Sequence, residues 1–166
     1  MMAAPFFAAV YVTHAFLQDM VDRGSGLIVN VNSPVCIVAW PAAAGYASTR
    51  WAMRGLNDAL SAELQGIGSG VKVCMVVPGK VSSSYFENNP GAEHGIPGVS
   101  RMVHTLSPEE VADVIVKTIW TEKRLQFAPR MMTFLMLQAR WFPRLWRWVA
   151  IKTSREMAET GSGPSR

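Results

Sequence analysis

Cysteine is scarce in this sequence. Only Cys36 and Cys74 occur, neither in a CxxC pair and both in apolar surroundings. That excludes a disulfide scaffold and predicts two reduced, buried thiols in a cytoplasmic protein. The three histidines, His14, His94 and His104, show no ligand spacing, so no metal site is expected. Charge is also sparse, at 17% of the 166 residues, against 49% apolar. A chain this apolar is not a disordered one. Its length suits one domain that buries roughly 70% of its unfolded surface. The glycines and prolines follow no period, which excludes collagen-like and low-complexity readings. No early strand leads into GxGxxG or GxxxxGK[ST], so a phosphate-cradling turn is missing. Ser33 does not sit in GxSxG, which argues against a hydrolase nucleophile.

Acidic residues are absent from one region altogether. Lys123 to Arg155 holds eight Lys/Arg and no Asp or Glu, which leaves the rest of the chain at −4 although the whole carries +4. The basic character therefore belongs to a tail. No recognised nucleic-acid module accompanies it, and no nucleic-acid partner is expected. Long apolar runs are missing as well. The most apolar stretch near the C-terminus, Met131 to Ile151, contains three arginines and Pro143, too polar for a bilayer span. Met1 to Leu17 is apolar but has no positive leading region and no small-residue cleavage site. It reads as part of a helix.

What is present is an alternation of helix and strand patterns. Residues 5–23 read as a helix, with Phe6, Phe7, Val10, Phe16, Leu17 and Met20 on a broad apolar face. Gly24-Ser25-Gly26 stops it. Leu27–Val31 is β-branched and suits a strand buried on both faces. A second helix is expected over 46–65, with Trp51, Leu56, Leu60 and Leu64 recurring on one side. Val71–Val77 is a second buried-type strand, closed by Pro78-Gly79. Residues 80–105 read as a long loop, of the kind that covers a binding site. Ser107-Pro108-Glu109-Glu110 is a capping-box signature that opens a helix to about Thr121, and Leu125–Ala128 reads as a short third strand. The tail, residues 129–160, is predicted to be helical and amphipathic with a break at Pro143, and residues 161–166 to be disordered. The order indicates an α/β fold: a parallel sheet with helices on its faces, part of a doubly wound, Rossmann-like arrangement.

Ser33 lies just beyond the C-terminal end of the first strand. Tyr46 comes thirteen residues later, at the start of a helix, and Arg50 lies one turn further on the same face. Ligands of open parallel sheets bind beyond the carboxyl ends of the strands. Ser33 and Pro78-Gly79 both fall there.

The stretch from Phe6 to Phe86 resembles the C-terminal half of the short-chain dehydrogenase/reductase family. The family's Ser-x12-Tyr-x3-Lys core is matched by Ser33, Tyr46 and Arg50, and its strand-ending Pro-Gly by Pro78-Gly79. The segments AFLQDMVDRGSGLIVNVNS and GYASTRWAMRGLNDALSAEL are similar to the family's helix–strand and helix sequences. The match extends through Ser107–Ala128, so residues 1–128 correspond to the second half of a Rossmann-like domain, with 80–105 as its substrate loop. Two positions depart from the family pattern: Arg50 stands for a lysine, and Pro5 for an asparagine early in the first helix.

The resemblance implies hydride transfer between NAD or NADP and a small-molecule alcohol or ketone. Tyr46 would be the acid/base, Ser33 would hold the substrate oxygen, and Arg50 would be the electrostatic partner of the phenol. A free phenol titrates near 10, and a cation one helical turn away favours the phenolate. Tyr46, Arg50, Pro78, Gly79, Val81 and Ser83 are the implied cofactor contacts. The apolar residues Phe86, Ile96, Val99 and Met102 hint at a lipophilic substrate. The family's first, Gly-rich half has no counterpart here, so the expectation is a truncated or degenerate copy with impaired activity by itself. A second reading is a non-catalytic, family-derived interaction protein. The resemblance implies a homo-oligomer paired through helices 5–23 and 46–65. For the tail, two readings stand: residues 129–155 contact a membrane surface, making the protein peripheral, or they pack on the domain or on a partner subunit.

Overall fold

The computed structural model describes residues 2–88, 96 and 98–159. Three parallel strands form a sheet in the order β1 (Gly26–Val31), β2 (Val71–Pro78), β3 (Leu125–Ala128). The first helix begins with a π-helical turn, Ala3–Phe7, and continues as α1, Ala8–Asp22. Gly24, at φ +68, turns the chain out of it into β1. Helix α2 (Ala44–Gly66) joins β1 to β2. Helices α3 (Tyr85–Asn88) and α4 (Pro108–Thr121) lie between β2 and β3; α5 (Arg130–Trp141) and α6 (Pro143–Glu159) follow β3.

β2 is the centre of the core. Its run VKVCMVVP has a neighbour on each side, and Met75, Val76 and Val77 are almost fully buried. Each such side chain stabilises the fold by about 1.5–3 kcal/mol. One sheet face is covered in two patches. Leu17, Met20 and Val21 of α1 and Leu60 and Leu64 of α2 pack on Val71, Val73 and Ile28. Met132 and Met136 of α5 pack with Met75, Val77, Phe127 and Cys36.

The expected elements form, with four differences. β1 is not buried on both faces; most of it is half-exposed, because among the described residues it pairs with β2 alone. The first helix contributes Leu17 and Met20 to the core but leaves Phe7, in its opening π turn, and Phe16 exposed. The buried stripe of α2 is Ala47, Thr49, Met53, Asn57, Ser61 and Leu64, whereas Trp51 faces out. Polar residues occupy this stripe, so apolar periodicity does not reveal it. Asn57 is buried because its Oδ1 accepts from Nδ2 of Asn30 on β1, at 3.2 Å.

The fourth difference concerns the 80–105 segment. It is not all loop: α3 and a 3₁₀ turn, Gly98–Met102, lie within it. Its two ends meet at a neck, where Val81 bridges Leu106 in parallel and Leu106 N–H donates to the Lys80 carbonyl at 2.9 Å. The capping box at α4 forms as its sequence requires. Ser107 Oγ accepts from Glu110 N–H, and the Glu110 carboxylate accepts from Ser107 N–H at 2.7 Å. The tail breaks at Pro143 as expected, and residues 161–166 lie outside the described residues.

Candidate active site

Three residues with chemistry to offer lie on the segments that follow the carboxyl end of β1. The strand ladder extends one residue beyond β1, where Asn32 N–H donates to the Val76 carbonyl at 2.8 Å. Ser33 follows in extended conformation and opens the 3₁₀ turn Pro34–Cys36. The chain then crosses to α2, whose first turns carry Tyr46 and Arg50, both half-buried. The guanidinium carbon of Arg50 lies 5.0 Å from the centre of the Tyr46 ring. A cation over a phenol face is attracted by the ring, and its charge favours a nearby anion.

Asn32 sets this geometry. Its Oδ1 accepts from Ser33 N–H at 3.0 Å, and its Nδ2 donates to the Arg50 carbonyl at 3.1 Å. One amide therefore joins the loop that carries Ser33 to the helix that carries Tyr46. Arg50 reaches back in turn, its Nη1 donating to the Val31 carbonyl at 3.4 Å. One turn later, Arg54 Nη1 donates to the Cys36 carbonyl at 3.2 Å. Asp58 closes the chain of charges, 3.7 Å from Arg54 Nε and 3.0 Å from Arg124 Nη2.

Two features leave the site open to a ligand. Among the described residues, neither Ser33 Oγ nor Tyr46 Oη is engaged in a hydrogen bond, and the two do not bond each other. Arg50 Nε is buried and likewise without a hydrogen-bond partner. Burying a donor unpaired costs about 1–3 kcal/mol, so such a group is placed to receive an acceptor from outside the chain.

The strand-ending pair sits on the neighbouring strand. Pro78 is buried at the end of β2, and Gly79 N–H donates to the Ala128 carbonyl at 2.7 Å. A Cβ at Gly79 would lie 3.4 Å from that same oxygen, in ordinary van der Waals contact. Val81 is held in the neck opposite Leu106. Ser83 is exposed, and its Oγ accepts from Tyr85 N–H at a long 3.4 Å. Cys36 lies in the core beside the site. Burial pushes its thiol up to about 11, against a smaller opposing pull from Arg54, so it is neither a nucleophile nor a ligand at neutral pH. Among the described residues no cluster of His, Cys, Asp and Glu could hold a metal ion.

Reading the sequence alone missed Asn32 and Arg54. The signal for Asn32 was available: Asn30 and Asn32 are two apart at a strand end, so both face the same helix. Asn30 meets Asn57 of α2, and Asn32 meets the α2 backbone.

Comparison with known proteins adds to this geometry. The short chain dehydrogenase family model matches residues 1–93, more than half of the chain. The uncharacterised oxidoreductase YbbO of Escherichia coli (strain K12) is 28% identical over 140 residues, covering 81% of this chain and 51% of that protein. Dehydrogenase/reductase SDR family member 7B of Danio rerio is 33% identical over 127 residues, covering 74% of this chain and 40% of that protein. Estradiol 17-beta-dehydrogenase 11 of Mus musculus is 31% identical over 137 residues, covering 82% and 43% respectively. The chain spans about half the length of the curated relatives it matches.

Among solved structures, a short-chain dehydrogenase/reductase from Burkholderia phymatum in complex with NAD matches with a TM-score of 0.70 at 15% identity, over 88% of this chain and 58% of that one. A short-chain dehydrogenase from Burkholderia cenocepacia in complex with NADP matches with a TM-score of 0.65 at 20% identity, over 83% and 53%. At these identities the likeness establishes the fold.

Proposed function

Because the chain belongs to the short-chain dehydrogenase family, we propose that it carries the substrate-binding and proton-transfer half of an NAD(P)-linked oxidoreductase acting on a lipophilic alcohol or ketone. The observation that carries this reading is the Arg50 guanidinium over the Tyr46 ring, on a helix that Asn32 ties to the backbone of Ser33. The residues fit the nicotinamide end of the cofactor. Arg50 presents an unpaired buried Nε–H, and Pro78-Gly79 ends the adjacent strand. Tyr46, Arg50, Pro78, Gly79, Val81 and Ser83 would hold it. NAD(P) supplies or accepts the hydride when bound.

The chain's own residues do the remaining work. Ser33 Oγ donates to the substrate oxygen and orients it. Tyr46 Oη gives that oxygen a proton in the reducing direction and takes it back in the oxidising direction. Arg50 stabilises the phenolate that forms between these events, by charge rather than by contact with the reacting atoms. The neck at Val81 and Leu106 joins the two ends of the 80–105 segment, which would cover an apolar substrate. The same reading pairs α1 and α2 with a second copy; in support, Phe7, Tyr11, Phe16 and Trp51 are exposed.

Titration of the chain with NADH and NADPH, followed by nicotinamide fluorescence, tests the reading. Saturable binding is expected. Absence of binding, together with a clean dimer on a sizing column, would favour the non-catalytic interaction protein.

A further inference from the structure

The tail presents a surface that the redox reading does not use. α5 buries Met132, Met136 and Ala139 against the sheet. Its other side exposes Met131, Phe134, Leu137 and Trp141, at helical spacing. α6 repeats the pattern. Ala150 is buried and Trp146 and Val149 are half-buried, while Leu145, Trp148 and Ile151 face out. Between the helices an open groove of about 280 Å³ is lined by Gln138, Phe142, Leu145, Trp146 and Val149. Phe142 and Leu145 line it yet are 61% and 54% exposed, so the groove continues the outer apolar surface.

Charge is distributed over the same two helices. Arg130, Arg140, Arg144, Arg147 and Lys152 are all exposed. None pairs with an acidic side chain among the described residues, whose ion pairs all lie elsewhere. Lys152 Nζ sits over the Trp148 ring, 5.2 Å from its centre. A surface of exposed Trp, Phe and Leu fringed by unpaired cations, with no Asp or Glu from Lys123 to Arg155, is complementary to an apolar layer bordered by anions. A second copy offering the same surface would bring the same cations against each other. No helix among the described residues is long and apolar enough to cross a membrane, so the helices would lie in the interface.

We propose that α5 and α6 form a docking surface for an anionic lipid bilayer, with Phe134, Trp141 and Trp148 entering the headgroup boundary and the arginines meeting the phosphates. The proposal is independent of Ser33, Tyr46 and Arg50 and stands or falls without the redox reading.

Co-sedimentation of the full chain with vesicles tests it. The chain should bind phosphatidylcholine vesicles containing phosphatidylglycerol, bind pure phosphatidylcholine at least tenfold more weakly, and lose binding as salt rises. Arg144→Gln and Arg147→Gln should each weaken binding roughly fivefold, from the usual worth of a basic side chain near an anionic surface. Trp141→Ser with Trp148→Ser should weaken it further, and brominated acyl chains should quench tryptophan fluorescence in the unaltered chain. These substitutions are on exposed positions, and the salt and bromine readings need no variant. Three results would overturn the proposal: no binding at low salt, equal binding to both vesicles, or a lipid-free dimer that Trp141→Ser dissociates.

Discussion

The guanidinium of Arg50 lies over the ring of Tyr46, one helical turn away, while its own carbonyl accepts from Asn32 beside Ser33. The relationship makes Arg50 both a charge and a structural node. Replacing it separates the two roles. Arg50→Lys keeps a cation and the backbone contact, and should retain measurable turnover. Arg50→Met should lower kcat by tenfold or more. Steady-state assays of the two variants check this. Equal kcat values for them would remove the electrostatic role.

Asn30 and Asn57 form a buried amide pair between β1 and α2. Asn57→Ala leaves the Asn30 amide buried without its partner. The expected loss is about 1–3 kcal/mol, read by urea unfolding. Removing both amides together, with Asn30→Val and Asn57→Leu, should destabilise by less than the sum of the single changes, because no polar group is then left unpaired.

Cys36 supplies a pH test. Its thiol is raised from 9.0 to about 11 by burial. A folded value above the unfolded one favours the folded state at low pH, and that contribution disappears as pH rises. Stability should therefore fall between about pH 9 and 11 through this group, and Cys36→Ala should flatten that part of the curve. Alkylation by iodoacetamide at pH 8 should be slow in the native chain and fast once it is unfolded in urea.

Much of the fold could be read from the sequence because local signals agreed with the tertiary outcome. The run VKVCMVV becomes the central strand, Ser107 to Glu110 forms its capping box, and Pro143 separates the tail helices. β1 misled because its composition, LIVNV, is that of a central strand, whereas burial depends on how many neighbours a strand has. α2 misled because Thr49, Asn57 and Ser61 are buried through polar contacts and packing that no hydropathy pattern encodes. The spacing of Ser33, Tyr46 and Arg50 was legible because a strand end and a helix start fix it. The Asn32 clamp and the unpaired Arg50 Nε were not, since both arise only when β1 and α2 meet.

The central claim is that Tyr46 transfers the proton in an NAD(P)-linked carbonyl reduction. The most direct measurement compares NADH- and NADPH-dependent reduction of a panel of apolar ketones by the unaltered chain and by Tyr46→Phe. The account predicts low but measurable turnover with at least one ketone, and a kcat roughly 10²–10⁴ lower in Tyr46→Phe. Unchanged turnover in Tyr46→Phe, or no turnover with any ketone and either nucleotide, would contradict it.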